Sequence, residues 1–518
     1  MLRAPVGAGL KKMAASRALA VAAALAAVWL LIDPRTPDLA AQVYRVELFR
    51  HEGFAVWDLH WYAGHALPGY SLLFAPLAAL AGIRVLATLA VLATALLGER
   101  LLVTIYGNAG RQAAVWLAVA AVADLWIGRL TFALGVAFAV GCLLAFVRGH
   151  TVLSVVMAAL CAAASPVAGA LLALVALTDA LVRRTPRALL CVALPAGVLV
   201  ATLVLLFPEG GWEPYPSTSF LATLAVVAGF LWALPASQRE LRLGAILYLG
   251  VCILCVLLRT PMGANVERYG VLLAGPLLLC ALAGRFTPVA VGVLCGIALW
   301  TVWGPVRETA AVTGDASTTA AYYAPVERFL AAHEGGLVRV EVPFTRSHWE
   351  AAWLAPTVSL ARGWEKQLDT RYDDVLLAPG LSAASYRAWL KQQAISYVAL
   401  PDAPLDPSSA QEGKLVQGGL PYLREVFASP HWRIYKVLAA TPLVQGPAHL
   451  SALGHDSFAL RASTAGRFLV RLHYTRYWTV THGAGSVKAA AGGWTTVTVD
   501  RAGTVDVAAR FSLARALG

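Results

Sequence analysis

Between residues 14 and 304 the chain is a succession of apolar runs, separated by short polar or basic stretches. A bilayer crossing by helix takes about 20 apolar residues, because every backbone N–H and C=O must find its partner inside the segment. About eleven runs qualify as candidates, near 14–32, 83–104, 112–127, 130–147, 151–164, 166–182, 186–207, 218–236, 243–258, 269–284 and 287–304. Residues 305–518 read instead like an ordinary globular sequence. Over the whole chain 59% of residues are hydrophobic and 14% charged, whereas soluble domains carry about a quarter charged. A fold surrounded by water could not hide that much apolar surface. The expected architecture is a polytopic α-helical membrane protein, of about eleven spans, with a folded water-soluble module at its C-terminal end.

Two apolar runs need separate treatment. The first follows Lys11, Lys12 and Arg17 as a signal peptide would, but no convincing cleavage site follows it, so it reads as a retained helix. The stretch 71–82 (SLLFAPLAALAG) is short and contains Pro76, which suits a re-entrant or interfacial segment better than a crossing.

Basic residues set the expected orientation. Placing the N-terminus, Arg148, the Arg183–Arg187 cluster and 238–242 in the cytoplasm satisfies the positive-inside rule. The loop 33–70 and the module 305–518 are then outside. The formal charge of +12 is spread among such loops rather than gathered into a patch, so it predicts topology and no nucleic-acid partner.

Several function classes drop out early. All seven cysteines (Cys142, Cys161, Cys191, Cys252, Cys255, Cys280 and Cys295) lie in the apolar part, which suggests neither a disulfide framework nor a cysteine metal site. The sequence holds no Walker-type phosphate loop, no HExxH and no glycine-rich dinucleotide fingerprint, and no serine sits in a recognisable nucleophile elbow.

Three domains are expected: a membrane domain over 1–304, an α/β domain over 305–440 and a β-sandwich over 441–518. In the second, strand-like Val338–Val342, Tyr397–Leu400 and Trp432–Val437 alternate with helical stretches such as SAASYRAWLKQQA. In the third, Phe468, Val470, Leu472 and Tyr474 alternate with more polar neighbours, and Trp494–Val499 and Thr504–Phe511 repeat the habit. A module so patterned is expected to fold by itself.

The loop 33–70 is the densest cluster of functional residue types, with Asp38, Arg45, Glu47, Arg50, His51, Glu52, Asp58, His60 and His65 beside Trp57, Trp61, Tyr62 and Tyr70. Its segment WDLHWYAGHALPGYSLLFAPL carries Gly64, Pro68 and Gly69, which turn the aromatics and Asp58 back on themselves. Flat rings flanked by carboxylates suit sugars, whose apolar faces stack and whose hydroxyls need acceptors. The plainer alternative is an aromatic belt at the membrane boundary with solvated charges around it.

Asp38 just past the first span (TPDLAAQVYR), the W-x3-W-Y-x-G-x2-L-P-G-Y segment running into an apolar proline-containing stretch, the many spans and the C-terminal module together give a resemblance. The chain resembles the GT-C superfamily of polytopic membrane glycosyltransferases, and within it the bacterial membrane proteins related to the "6-pyruvoyl-tetrahydropterin synthase-related" family. That resemblance implies transfer of a sugar from a polyprenyl-phosphate donor, in the company of membrane lipids, to a glycan or lipid-linked acceptor on the outer face. It also implies an acidic residue of the first outer loop as catalytic base, a place that Asp38 matches. The chain departs from the best-known members in having no tight pair of acidic residues there. Glu47 and Asp58 are the nearest further carboxylates, and the pattern calls for no cofactor and does not fix whether a divalent metal takes part.

The chemistry of Asp38 has its own logic, since an acceptor hydroxyl must lose its proton as its bond to the anomeric carbon forms. A helix cap facing water is the structural alternative. A lipid-phosphate donor needs cations near the outer boundary, and Arg129 in WIGRLTF and Arg268 in LRTPMGANVERYG, with Asn265 and Arg259 nearby, are the candidates. Snorkelling arginines at helix ends are the alternative for these. In the module, Trp349, Trp353 and Trp364 gather among charged residues, as an acceptor groove, a contact with the membrane part or plain core would have them.

Two other classes stay in view. Intramembrane charges such as Asp124 and Asp179 also describe secondary transporters or lipid flippases, although no matching halves are evident. A non-catalytic scaffold for envelope assembly should tolerate loss of the carboxylates in the first loop.

Overall fold

The computed structural model describes residues 16–334 and 337–517; Lys11 and Lys12 lie outside the described residues. Helix α1 (Arg17–Ile32) ends where Asp33 turns left-handed (φ 50°) ahead of Pro34, and Pro37 opens α2 (Pro37–Glu52) in its first turn. Proline suits that place because its missing N–H would be unpaired there anyway. The two helices are bent by 81°. The short helix α3 (Phe74–Ala81) occupies the stretch expected to be re-entrant. The bundle continues with α4 (Ile83–Tyr106), α5 (Asn108–Ile127), α6 (Leu130–Val147), α7 (Thr151–Ala164), α8 (Pro166–Arg183), α9 (Leu189–Leu206), α10 (Ser217–Ala233), α11 (Arg239–Leu257), α12 (Glu267–Leu282) and α13 (Pro288–Val312).

Every run expected to span is therefore mainly helical over its described residues. Among the described residues eight helical segments are long and apolar enough to cross a bilayer, or nine if the bent α1–α2 pair makes one span, while α7 and α10 are shorter. Helix α13 continues to Val312, past residue 304 where the sequence suggests the membrane domain ends. The chain is a polytopic α-helical membrane protein with a C-terminal β-sheet module, and its surface agrees. Leu205, Trp232 and Leu257 are each more than 70% exposed, which only lipid makes inexpensive. Helices approach closely through small residues: Ala18, Ala22 and Ala26 form the buried face of α1, and Gly98 of α4 lies against Leu117.

The module begins with α14 (Ala320–Glu334) and a five-stranded sheet of order β4-β3-β5-β7-β6. Its strands are β3 (Arg339–Glu341), β4 (Ser359–Leu360), β5 (Ile395–Pro401), β6 (Leu423–Ala428) and β7 (Trp432–Val437), with β3 parallel to both β4 and β5. At its centre Arg362, fully buried, donates from Nε and Nη2 to Glu341, and from Nη2 to Glu412 Oε2 at 2.7 Å. The Glu412 carboxylate also accepts from the Tyr386 hydroxyl at 2.9 Å. Short helices α15 (Glu350–Trp353) and α16 (Lys366–Tyr372) lie between strands.

Two antiparallel sheets follow, β11-β14-β9-β8 and β10-β13-β12. Their strands run β8 (Ala448–Leu453), β9 (Ser457–Ala462), β10 (Gly466–His473), β11 (Trp478–His482), β12 (Gly485–Ala489), β13 (Trp494–Val499) and β14 (Gly503–Ala509). Phe458, Leu460, Val505 and Val507 of one sheet share a core with Phe468, Val470, Leu472 and Val497 of the other, which makes a sandwich.

One core of the module, around Tyr386, Trp389, Ile395 and Val398, is drawn from the module alone, but the sandwich core does not close on itself. Residues Trp57–Asp58 (β1) and His65–Ala66 (β2) form a hairpin after α2, and this hairpin is driven between the two parts of the module. The Leu360 N–H donates to His60 O at 2.8 Å, the Leu59 N–H to His455 O at 2.6 Å and the His473 N–H to Ala63 O at 2.8 Å. Val56, Trp57, Leu59 and Ala66, with Leu203 and Phe207 from α9 and its end, complete the sandwich core.

Candidate active site

Asp38 lies in the first turn of α2. The turn between α5 and α6 packs directly on it: a Cβ at Gly128 (φ 90°) would stand 2.5 Å from Leu39 N and 3.0 Å from Asp38 C, so glycine alone permits the approach. That contact brings the next residue to the carboxylate, with Arg129 Nε 3.5 Å from Asp38 Oδ2. Backbone bonds from Gly128 and Arg129 to Asp124 O, at 3.1 and 2.9 Å, fix the turn.

Arg268 enters from the first turn of α12. Its Nη2 donates to Asn265 Oδ1, its guanidinium lies 5.2 Å from the Phe132 ring centroid, and Arg129, Asp38, Tyr70 and Asp124 are within electrostatic reach. Two guanidiniums thus share one site with two carboxylates. Arg129 and Arg268 each keep a buried Nε–H without a hydrogen-bond partner among the described residues. Unsatisfied buried donors are costly, and an anion with several oxygens is the ligand that would satisfy them. Asp38, Arg129, Asn265 and Arg268, scattered over some 230 residues of sequence, are thereby brought together.

A further carboxyl, which the sequence reading does not single out, lies within electrostatic reach of Arg268 and Asp38. Glu213 sits in the loop between α9 and α10, its N–H donating to Thr260 O at 3.0 Å. Burial pushes its carboxyl up to about 7, against the pull of Lys366 and Arg268, with Asp38 and Asp369 adding to the rise. The sequence signal was an acidic residue between two prolines-and-glycines stretches, in GGWEPYP, on a loop bounded by apolar runs.

The remaining expected site residues have other neighbours. Trp57, Asp58, Trp61 and Tyr62 are all at most 8% exposed, the first two in β1 and the others in the loop that joins it to β2. Trp61 stacks on Tyr44 with centroids 4.4 Å apart and donates from Nε1 to Ala351 O at 3.1 Å, while the Tyr62 hydroxyl donates to Asp369 Oδ1 at 2.9 Å. Trp57 meets Trp478 edge-on. Asp58 accepts from the Tyr44 hydroxyl at 2.9 Å and the His60 N–H at 3.0 Å, and lies 3.2 Å from His455 Nδ1. Burial alone would raise its carboxyl, but the hydrogen bond and charge of His455, helped by His65 and His60, hold it below the ordinary value. Burial pushes His60 down to about 4, and His455 adds to that. The expected open aromatic wall is in the structure a buried joint between the hairpin and the module. The turns at Gly64, Pro68 and Gly69 that suggested a wall serve this joint equally well.

Arg45 pairs with Glu365 at 2.6 Å and stacks on Tyr70, its guanidinium carbon 3.8 Å from that ring's centroid. Glu47 pairs with Arg50 on the exposed side of α2. Trp364 stacks on His348 at 3.5 Å, with Lys366 Nζ 6.0 Å from the Trp364 ring centroid. Among the described residues no group of three or more His, Cys, Asp or Glu side chains is arranged to hold a metal ion.

The membrane part is hollow along α12. A cavity of about 260 Å³ follows α12 from Tyr269 and Gly270 to Pro276 and Leu277, walled mostly by apolar side chains such as Leu101, Val140 and Phe230, with Asp179 and Glu240 also lining it.

No protein family matches the chain, and no curated protein does. Among solved structures it is similar to the crystal structure of ArnT from Cupriavidus metallidurans bound to undecaprenyl phosphate. The identity is 15% and the TM-score 0.44, over 83% of this chain and 100% of that one. A likeness of that size leaves the work of each residue to be argued from this chain's own geometry.

Proposed function

We propose that the protein is a membrane glycosyltransferase of the GT-C type, moving a sugar from a polyprenyl-phosphate donor to a glycan or lipid-linked acceptor. The observation that carries this reading is the meeting of Asp38 with Arg129 and Arg268, whose buried Nε–H groups make no hydrogen bond among the described residues, that of Arg129 facing Asp38 at 3.5 Å. The two guanidiniums hold the donor's phosphate. Asp38 takes the acceptor hydroxyl's proton while that oxygen bonds to the anomeric carbon, and the phosphate leaves with the electrons of the broken C–O bond. The cations offset the charge that collects on the leaving phosphate. The largely apolar cavity along α12, which Tyr269 and Gly270 help to line, offers room for an isoprenoid tail. Trp57, Asp58, Trp61, Tyr62 and Arg45 serve the site indirectly, by locking the module over it.

Donor binding tests the phosphate site. Arg268→Ala should weaken binding of a polyprenyl phosphate by roughly 10- to 100-fold, the worth of a charge-assisted hydrogen bond or two, with Arg129→Ala losing less because that side chain is about a third exposed. The readout is ligand binding to purified protein whose size-exclusion profile is unchanged. Donor affinity equal to wild type in both variants would remove these residues from the site.

The same reading puts the N-terminus in the cytoplasm and the site and module outside, in keeping with the basic loops. Replacing the seven cysteines, all within the membrane part, and adding Gln411→Cys at an exposed position of the helix Ala410–Gln417 in the module should give rapid labelling of intact cells by an impermeant maleimide. Protection until the membrane is opened would reverse the orientation.

A further inference from the structure

Helix α9 fixes the height at which the β-sandwich meets the bilayer. Its 18 residues rise about 27 Å, close to the ~30 Å of a hydrocarbon core, so its last turn lies at the boundary between acyl chains and headgroups. That turn is where the sandwich holds it. The Tyr477 hydroxyl donates to Leu206 O at 2.6 Å, and the Phe207 ring lies 5.5 Å from Tyr477 and 5.9 Å from Phe511, centroid to centroid. Val198, Val204 and Leu205, on the rest of this end of α9, are exposed to lipid.

The sandwich brings bare apolar side chains to the same level. Phe511 is 49% and Leu513 60% exposed, and Phe511 packs on Tyr477 as well as on Phe207. Ala516, in the short helix Leu513–Leu517, is buried in the sandwich core and ties the segment down. Exposed arginines surround it. Arg476 donates from Nη1 to Ala516 O at 2.8 Å, and Arg515 from Nη1 to Trp478 O at 2.7 Å. Arg510, also exposed, pairs with Asp456 at 3.2 Å, and residues 510–518 contain no acidic side chain of their own.

Large apolar side chains left bare beside cations match a lipid surface, and the leaflet around α9 runs past these. We propose that the base of the β-sandwich is a membrane-docking site, with Phe511 and Leu513 entering the acyl boundary at the module end of α9 and Arg476 and Arg515 meeting lipid phosphates. The contact continues the lipid-facing side of α9, which favours the leaflet over a second copy of the chain as the occupant. Guanidiniums on long stems reach phosphates at the depth where phenylalanine and leucine gain by leaving water. The inference requires that α9 cross the bilayer, not that the protein transfer sugar.

The test uses the full chain with its seven cysteines replaced, in nanodiscs of phosphatidylcholine and phosphatidylglycerol, with a fluorescent dye on Ala514→Cys, an exposed position. Lipids brominated at successive acyl carbons should quench the dye and place it about 5–10 Å into the headgroup–acyl boundary. A dye on Gln411→Cys, elsewhere on the module, should stay unquenched. Leu513→Ser alters only a bare side chain, so the fold is kept. It should cut the quenching at Ala514→Cys ~2-fold or more, because one leucine's transfer out of water is worth a factor of about ten in partition. No quenching at Ala514→Cys, equal quenching at Gln411→Cys, or quenching indifferent to Leu513→Ser would overturn the proposal. Quenching that disappears in discs holding a single copy would give the surface to a second copy of the chain instead.

Discussion

Asp38→Asn should insert, fold and still hold donor lipid, yet lose turnover by roughly 10²- to 10⁴-fold, the usual cost of removing a general base. Asparagine keeps the size of the side chain and an oxygen facing Arg129, so the 3.5 Å contact survives as a neutral one and only proton acceptance is lost. Exchanges at Glu47, which pairs with Arg50 on the exposed side of α2, should leave the rate near wild type. Asp58→Asn should instead lower the unfolding temperature, because Tyr44, His60 and His455 all converge on that carboxylate. The decisive measurement is single-turnover transfer with a matched donor and acceptor. Full activity in Asp38→Asn would shift the base to another carboxyl, and Glu213 would be the first to examine.

The largest loss of stability is expected at Arg362→Leu. One guanidinium there serves both Glu341 and Glu412, in a place where no water reaches. Burial drives the Glu341 carboxyl well above its ordinary value, with Arg362 pulling it back. Removing the arginine leaves two buried carboxyls facing each other, and breaking a buried pair from one side costs about 3–5 kcal/mol. Arg433, paired with Glu425 in the open, gives the contrast: its loss should change stability by less than ~1 kcal/mol. Thermal unfolding of the full chain followed by protease susceptibility of the module would separate the two. Equal effects at Arg362 and Arg433 would contradict this account of the core.

The bundle was legible because a bilayer leaves a chain so few options: each long apolar run became a helix, down to the short 151–164. The sandwich was legible for a similar reason, as period-two alternation at Phe468, Val470 and Leu472 admits one buried face. Helix α2 was harder to see, since its apolar and polar residues follow no clear stripe and its burial is decided by the module above it. The aromatic segment misled for a physical reason. Rings beside carboxylates have the same composition whether they wait for a sugar or close an interface, and only the partners Ala351, His455 and Trp478, some 300 or more residues away, separate the two. Asp38, Arg129 and Arg268 could each be picked as types near helix ends. Their meeting depends on Gly128 lying against α2, a contact that no local pattern encodes.

The hairpin that fills the module also sets a schedule for biosynthesis. Asp58 and His455 are 397 residues apart, and at about 5–20 residues per second a ribosome needs roughly 20–80 s to cover that distance. During that interval the hairpin, with its tryptophans and its carboxylate, has left the ribosome while its partners have not been made. It must wait at the membrane surface in the care of lipid headgroups or a chaperone. Ribosome stalling or a premature stop between the end of α13 and the β8–β9 turn would then leave a fully inserted bundle with an uncovered apolar joint, a species that quality-control proteases can recognise by that patch alone.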